Sequence, residues 1–174
     1  MEIIKLPVGA YQCNCYILKK ENNIILIDPG SDFHEINKYL KNNNLLGILV
    51  THNHFDHVGA LQDILNNYQT EVYDYHNLKE KTYQIGPFSF EVIYNPGHTA
   101  DSISFYFPTY KIMFVGDFVF KNSIGRTDLP TGNSNQMKQS INDIKQMAKD
   151  IKIYPGHGEI TSLEEEFNNN IYFR

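Results

Sequence analysis

Apolar residues along the chain fall into short runs of strand period, separated by stretches of helical spacing. "EIIKL", "CYILKK" and "NIILID" predict the strands of a meander, closed by the turn Asp28-Pro29-Gly30. In "SDFHEINKYLKNN" the period changes. Phe33, Ile36 and Leu40 share one helical face there, with Ser31 or Asp32 as N-cap. "LLGILV" is a continuous apolar run, as in a strand buried on both faces. "GALQDILNNY" returns to helical spacing through Leu61, Ile64 and Leu65. "FSFEVIYN", "SISFYF" and "KIMFVG" predict further strands. "NSNQMKQSINDIKQMAKD" predicts a third helix, "IKIYPGHG" a strand running into a turn, and "SLEEEF" a short terminal helix. No repeat of solenoid length is present. Interleaved elements with more strands than helices predict an α/β fold, most simply two packed sheets flanked by helices.

Composition narrows the function classes. The 174 residues fit one domain spanning 1–174, because domains commonly run about 100–200 residues. A net charge of −5 argues against nucleic acid as a partner, since that affinity comes mainly from Lys and Arg on phosphates. The opening "MEIIKLPVGAY" has neither the basic nor the long apolar region of a secretory signal. No apolar stretch approaches the ~20 residues of a membrane span, so no membrane association is expected. Cys13 and Cys15 in "YQCNCYIL" share one strand face and lack a second Cys pair for a sulfur-rich metal site. They read as small buried residues, which fits a reducing, cytoplasmic setting.

The chemistry concentrates at strand ends. Directly after "LLGILV", the stretch "THNHFDHVGA" places His52, His54, Asp56 and His57 within six positions. In an extended segment His52 and His54 project to one side, about 6–7 Å apart at the backbone, a spacing suited to two ligands of one ion. Asp56 and His57 follow where the chain turns into a helix and point toward a second. Three further polar residues also follow strands, each beside a glycine: His98 in "NPGHTADS", Asp117 in "FVGD" and His157 in "YPGHG". Gathered at one sheet edge, these residues provide five imidazoles and two carboxylates. Two ions need roughly four ligands each, with positions left open for water, and a bridging carboxylate such as Asp117 satisfies that count. Buried charges are costly unless paired or metal-bound, so a run this dense points to metal. His34 and His76 lack that setting and read as ordinary histidines.

"LIDPG", "THNHFDHVGA", "NPGHTADS", "FVGD" and "YPGHGEIT", in that order, resemble the metallo-β-lactamase-fold hydrolases over essentially the whole chain. The resemblance implies an αββα sandwich of two mixed sheets. It also implies one metal site of His52, His54 and His98, and a second of Asp56, His57 and His157, with Asp117 bridging. Asp28 resembles a carboxylate that orients a ligand imidazole, the alternative being a plain turn residue. "FVFKNSIGRTDLPTGN" is most similar to the glyoxalase II-like branch, the hydroxyacylglutathione hydrolases. Arg126 stands where glyoxalase II has a glutathione-contacting lysine, so it either clamps a substrate carboxylate or pairs with Asp128 in a surface turn. The resemblance implies a compact form without the helical domain that follows in glyoxalase II, and the segment from Tyr73 to Ile85 looks shorter than in compact relatives.

The expected cofactors are therefore two divalent ions, zinc foremost and iron or manganese also compatible, held by nitrogen and oxygen without Cys. The expected reaction is hydrolysis of a small acyl thioester by a metal-bound hydroxide, with Asp56 and Asp117 acting through the metal. Two alternatives remain open: a persulfide dioxygenase of the same fold with a single iron, and a non-catalytic metal-binding module.

Overall fold

The strand-period runs pair into two mixed sheets in a computed structural model that describes residues 1–174. The first sheet begins with the antiparallel meander β1 (Glu2–Val8), β2 (Cys13–Lys20) and β3 (Asn23–Ile27). Helix α1 (Phe33–Leu40) then crosses to β4 (Asn44–Leu49), which lies parallel to β3. The one-turn helix α2 (Phe55–Val58) and α3 (Leu61–Asn67) lead to β5 (Val72–Tyr73), giving the order β1-β2-β3-β4-β5.

The second sheet starts with β6 (Thr82–Ile85), β7 (Phe88–Tyr94), β8 (Ile103–Phe107) and β9 (Ile112–Gly116), all antiparallel neighbours. A separate small hairpin, β10 (Val119–Phe120) and β11 (Ser123–Ile124), precedes α4 (Ser134–Ile144). β12 (Lys152–Pro155) then pairs parallel to β9, and β13 (Thr161–Ser162) and α5 (Leu163–Asn169) follow. The order is β13-β12-β9-β8-β7-β6.

Three apolar layers hold this sandwich together. Tyr16, Leu18, Ile25, Ile27 and Leu49 of the first sheet meet Phe88, Phe90, Phe105, Phe107 and Phe114 of the second. The alternate residues of β2 and β3, including Cys13, Cys15, Ile17 and Leu26, face outward onto Ile36, Leu40 and Ile64 of α1 and α3. Met113, Val115 and Ile153 likewise face Met137, Ile141, Ile144 and Leu163 of α4 and α5. Strands covered on both faces explain why "LLGILV" and "NIILI" lack alternation. The αββα layering of the metallo-β-lactamase fold is what the resemblance implied. No helix is long and apolar enough to cross a membrane.

Some local expectations differ from the structure. Asp32 occupies the N-cap of α1 but adopts a left-handed conformation (φ 54°) and makes no side-chain cap. Its Oδ2 instead accepts from the Gly9 amide at 2.8 Å, joining the helix start to the β1–β2 turn. Leu65 lies off the buried face of α3, at 37% exposure. The third helix stops at Ile144, short of the helical-period stretch that continues beyond it.

Candidate metal centre

Five loop segments at strand ends converge on one hollow. Thr51 through His57 leave β4, and Asp28 leaves β3, at the edge of the first sheet. His98, Asp117 and His157 follow β7, β9 and β12 of the second. Glycines let them approach. Gly116 has φ 53°, and a Cβ there would stand 2.3 Å from Thr51 Oγ1. A Cβ on Gly156 would stand 2.3 Å from Asp117 Oδ1, so the glycine before His157 is sterically required.

The seven residues singled out in the sequence all border this hollow. His52 Nε2 lies 3.2 Å from His54 Nδ1, which lies 3.0 Å from His98 Nε2. On the other side, His157 Nε2 is 3.2 Å from Asp56 Oδ2, and His57 Nε2 is 3.4 Å from Asp117 Oδ1. Asp117 sits between the two groups, its Oδ2 3.6 Å from both His98 Nε2 and His157 Nε2.

Partners outside the hollow settle which way the imidazoles face. The carbonyl of Arg126 can only accept, so His98 Nδ1 donates to it at 2.7 Å. His157 Nδ1 donates likewise to the Tyr11 carbonyl at 3.0 Å. Asp28 carries the largest share. Its carboxylate accepts from the Thr51 amide at 2.8 Å, the Thr51 hydroxyl at 2.6 Å and His57 Nδ1 at 3.0 Å. With its proton committed to Asp28, Thr51 Oγ1 accepts from His52 Nδ1 at 3.1 Å. Each Nε2 of these four rings therefore faces inward, ready to present a lone pair to a metal once any proton it carries has left.

His54 Nδ1 faces the inward Nε2 atoms of His52 and His98 at 3.2 and 3.0 Å, where one proton can join it to only one of them, whereas a cation satisfies all three. Ligands around a tetrahedral ion at about 2.0–2.1 Å stand about 3.3 Å apart. His57 Nε2 and Asp117 Oδ1 are buried without any hydrogen-bond partner. Such orphans are rare and point to an unseen ligand. The donor set thus fits divalent metal.

Electrostatics agree with that reading. Burial, reinforced by His57, holds His52 well below the ordinary histidine value, and burial lowers His54 too. For His57 burial alone would lower the value, but the Asp117 and Asp28 carboxylates outweigh it and raise it well above normal. Asp117 is buried, which disfavours its charge, yet His57 and His52 hold it well below the usual carboxylate range.

The hollow opens into a cavity of about 920 Å³. Its wall includes groups that the sequence reading passed over: Tyr11, Phe55, Tyr75, Asp101, Leu129 and Pro130. His76, set aside as ordinary, also lines it, although His34 does not. Phe55 carried one legible signal, a large apolar residue embedded in the ligand run. The Arg126 side chain lines the cavity but is bound bidentately to Asp128, at 2.7 Å through Nε and 2.7 Å through Nη2. The surface-turn pairing is therefore the one observed, and the backbone of Arg126, not its side chain, supports His98. Cys13 was expected to be a plain core residue, yet its sulfur lies within 4.8 Å of donor atoms of His57 and His157.

Comparison with known proteins places this arrangement. The model of the metallo-beta-lactamase superfamily matches residues 8–82 and 77–157. A Bacillus subtilis protein named "Probable metallo-hydrolase YqgX" is 31% identical over 199 residues, covering 95% of this chain and 94% of its own length. "Hydroxyacylglutathione hydrolase GloC" of Haemophilus influenzae is 30% identical, covering 98% and 97%. Among solved structures, BLEG-1 B3 metallo-beta-lactamase superposes with a TM-score of 0.94 at 29% identity, over 99% of both chains. TTHA1623 in a di-iron-bound form superposes at 0.89 with 27% identity, over 97% of this chain and 99% of its own. The chain belongs to the metallo-beta-lactamase superfamily and carries a His/Asp metal-binding cluster of the superfamily's kind.

Proposed function

We propose that the protein is a metal-dependent hydrolase of small acyl thioesters with a dinuclear centre. His52, His54 and His98 hold one ion, Asp56, His57 and His157 the other, and Asp117 is shared. The observation that carries this reading is the ring of inward-facing ring nitrogens, carboxylates and orphaned atoms at the floor of the cavity. When bound there, divalent ions supply a Lewis acid and bring the pKa of water from about 15.7 to roughly 7.

The chain's own residues do the rest. Asp28, the Arg126 carbonyl and the Tyr11 carbonyl fix the imidazoles before metal arrives, so little reorganisation is left to the reaction. Asp117 places its negative charge midway between the two groups and offsets the repulsion of two dications. No serine or cysteine lines the cavity, which favours a water nucleophile over a side chain. A thiol leaving group has a pKa near ~8.5 and departs as thiolate with little protonation. Arg126 swings from Asp128 to a substrate carboxylate, an exchange that exposed ion pairs of this kind allow at small cost.

The name of the Haemophilus relative supports a thioester, and that of BLEG-1 a β-lactam. Zinc is the leading ion. The di-iron form of TTHA1623 makes iron the natural competitor. A substrate panel separates the readings: lactoyl-glutathione, other small acyl thioesters, a lactone, a β-lactam, a phosphodiester and a persulfide with oxygen uptake recorded. A thioester is expected to give the highest kcat/KM, and Arg126→Ala to raise KM with kcat held. A persulfide or phosphodiester turned over far faster than every thioester refutes the assignment.

A further inference from the structure

The second half of the ring has a donor that is neither imidazole nor carboxylate. Cys13, at the first position of β2, places Sγ within 4.8 Å of a ring nitrogen of His57 and one of His157. Its residue is fully buried, at 0% exposure. Backbone contacts lock the strand start to the His157 turn. Cys13 and His157 form an isolated antiparallel bridge. The next residue, Asn14, donates its amide to the Gly156 carbonyl at 2.7 Å. Its side-chain nitrogen spans the turn, reaching the Pro155 carbonyl at 3.0 Å and the Gly158 carbonyl at 3.1 Å. The sulfur is therefore carried by the same unit that carries His157.

The neighbouring His57 supplies an independent pointer. Its side chain is 0% exposed, and Nε2 has no hydrogen-bond partner. Zinc–sulfur bonds of about 2.3 Å and zinc–nitrogen bonds of about 2.1 Å put two donors across one ion at most about 4.4 Å apart. The 4.8 Å within which the three donors lie is close to that span.

We propose that Cys13 is a metal ligand, its sulfur joining His57 and His157 so that the second ion has a mixed sulfur, nitrogen and oxygen shell. This deepens the dinuclear reading above and rests on it for the remaining ligands. On binding, the S–H bond is replaced by a sulfur–metal bond and the proton passes to solvent. Burial, ahead of the opposing pull of His57, pushes the free thiol up to about 11, so at neutral pH that proton leaves as the ion arrives. A thiolate at this position favours zinc over harder ions such as manganese.

Cobalt(II) substitution under reducing conditions tests the proposal without any substrate. The wild-type protein is expected to show a near-ultraviolet sulfur-to-cobalt charge-transfer band. That band should survive in Cys15→Ala, whose thiol is equally buried but outside the cluster, and vanish in Cys13→Ser and Cys13→Ala. X-ray absorption at the zinc edge should find a sulfur at about 2.3 Å. Absence of both signals in metal-loaded wild-type protein overturns the proposal and returns Cys13 to the core. Stoichiometry reports separately on the dinuclear reading. Loading that stops at one equivalent with the band present refutes two ions and keeps the ligand, and two equivalents without the band do the reverse. Thioester turnover bears on neither.

Discussion

Asp28→Asn is the most informative single change, because one carboxylate supports imidazoles in both halves of the ring. Three donors converge on its two oxygens: the Thr51 amide on Oδ1, and the Thr51 hydroxyl and His57 Nδ1 on Oδ2. An asparagine offers one oxygen. With that oxygen toward His57, its NH₂ faces the Thr51 amide and leaves a buried donor unpaired, a loss of about 1–3 kcal/mol. The surviving bonds lose their charge assistance, so the metal-free protein should lose about 2–4 kcal/mol in all. Asparagine tolerates the left-handed backbone at this position (φ 48°), so the loss is not one of backbone strain. Metal affinity suffers separately, since an outer partner of a ligand imidazole is worth about 10–100-fold. His57 is bonded directly and His52 only through Thr51, so the second ion should weaken more than the first. Chelator competition with two metal equivalents resolves the two steps, and thermal melts of the metal-free form give the stability. Glu35→Gln, exposed and paired only with Lys38, is the control and should lie within about 0.5 kcal/mol of wild type. An Asp28→Asn protein with both affinities unchanged would refute the positioning role.

Asp117→Ala removes the carboxylate shared by the two halves, so it should hold one ion in place of two and lose at least about a hundredfold in kcat. Elemental analysis and turnover check this, and full occupancy with full activity removes Asp117 from the centre. Metal uptake near neutral pH should release at least one proton. His57 is held protonated by its carboxylates while His52 and His54 are already neutral, so His57 must discharge as the ion binds and affinity rises with pH. Calorimetric titration in buffers of different ionisation enthalpy measures it, and a heat independent of buffer contradicts the assignment.

The part of the site legible in the sequence was the part built locally. His52 to His57 declare themselves because six residues carry four donors, and the strand before them reads as buried. His98, Asp117 and His157 were found by a weaker rule, a polar residue beside glycine at the end of an apolar run. The structure supplies its physical basis at Gly116 and Gly156, where any side chain would collide with the site. What could not be read were roles played by backbone or by distant contact. His98 is steadied by the carbonyl of Arg126, and a carbonyl belongs to every residue type. The side chain of Asp32 looked like a helix cap. It turns to Gly9 only because the β1–β2 turn happens to lie beside it. The small hairpin of β10 and β11 and the edge strand β13 are two residues long per strand, too short for any period to show.

Cys13 marks the limit of local reading most sharply. Spacing puts it on the same strand face as Cys15, and both are indeed buried among apolar neighbours. The difference between them arises from a contact spanning most of the chain, where Asn14 grips the turn from Pro155 to Gly158. That contact stitches the edge of one sheet to the edge of the other beside the ring. The ring itself has the same character, since His52 to His57 come from one sheet and His98, Asp117 and His157 from the other. The site is therefore assembled only when the two sheets pack. An ion bound across that seam contributes its binding free energy to the packing, as any ligand of the folded state alone must. Stability and metal affinity are then two readings of one equilibrium, and each substitution in the ring should move both.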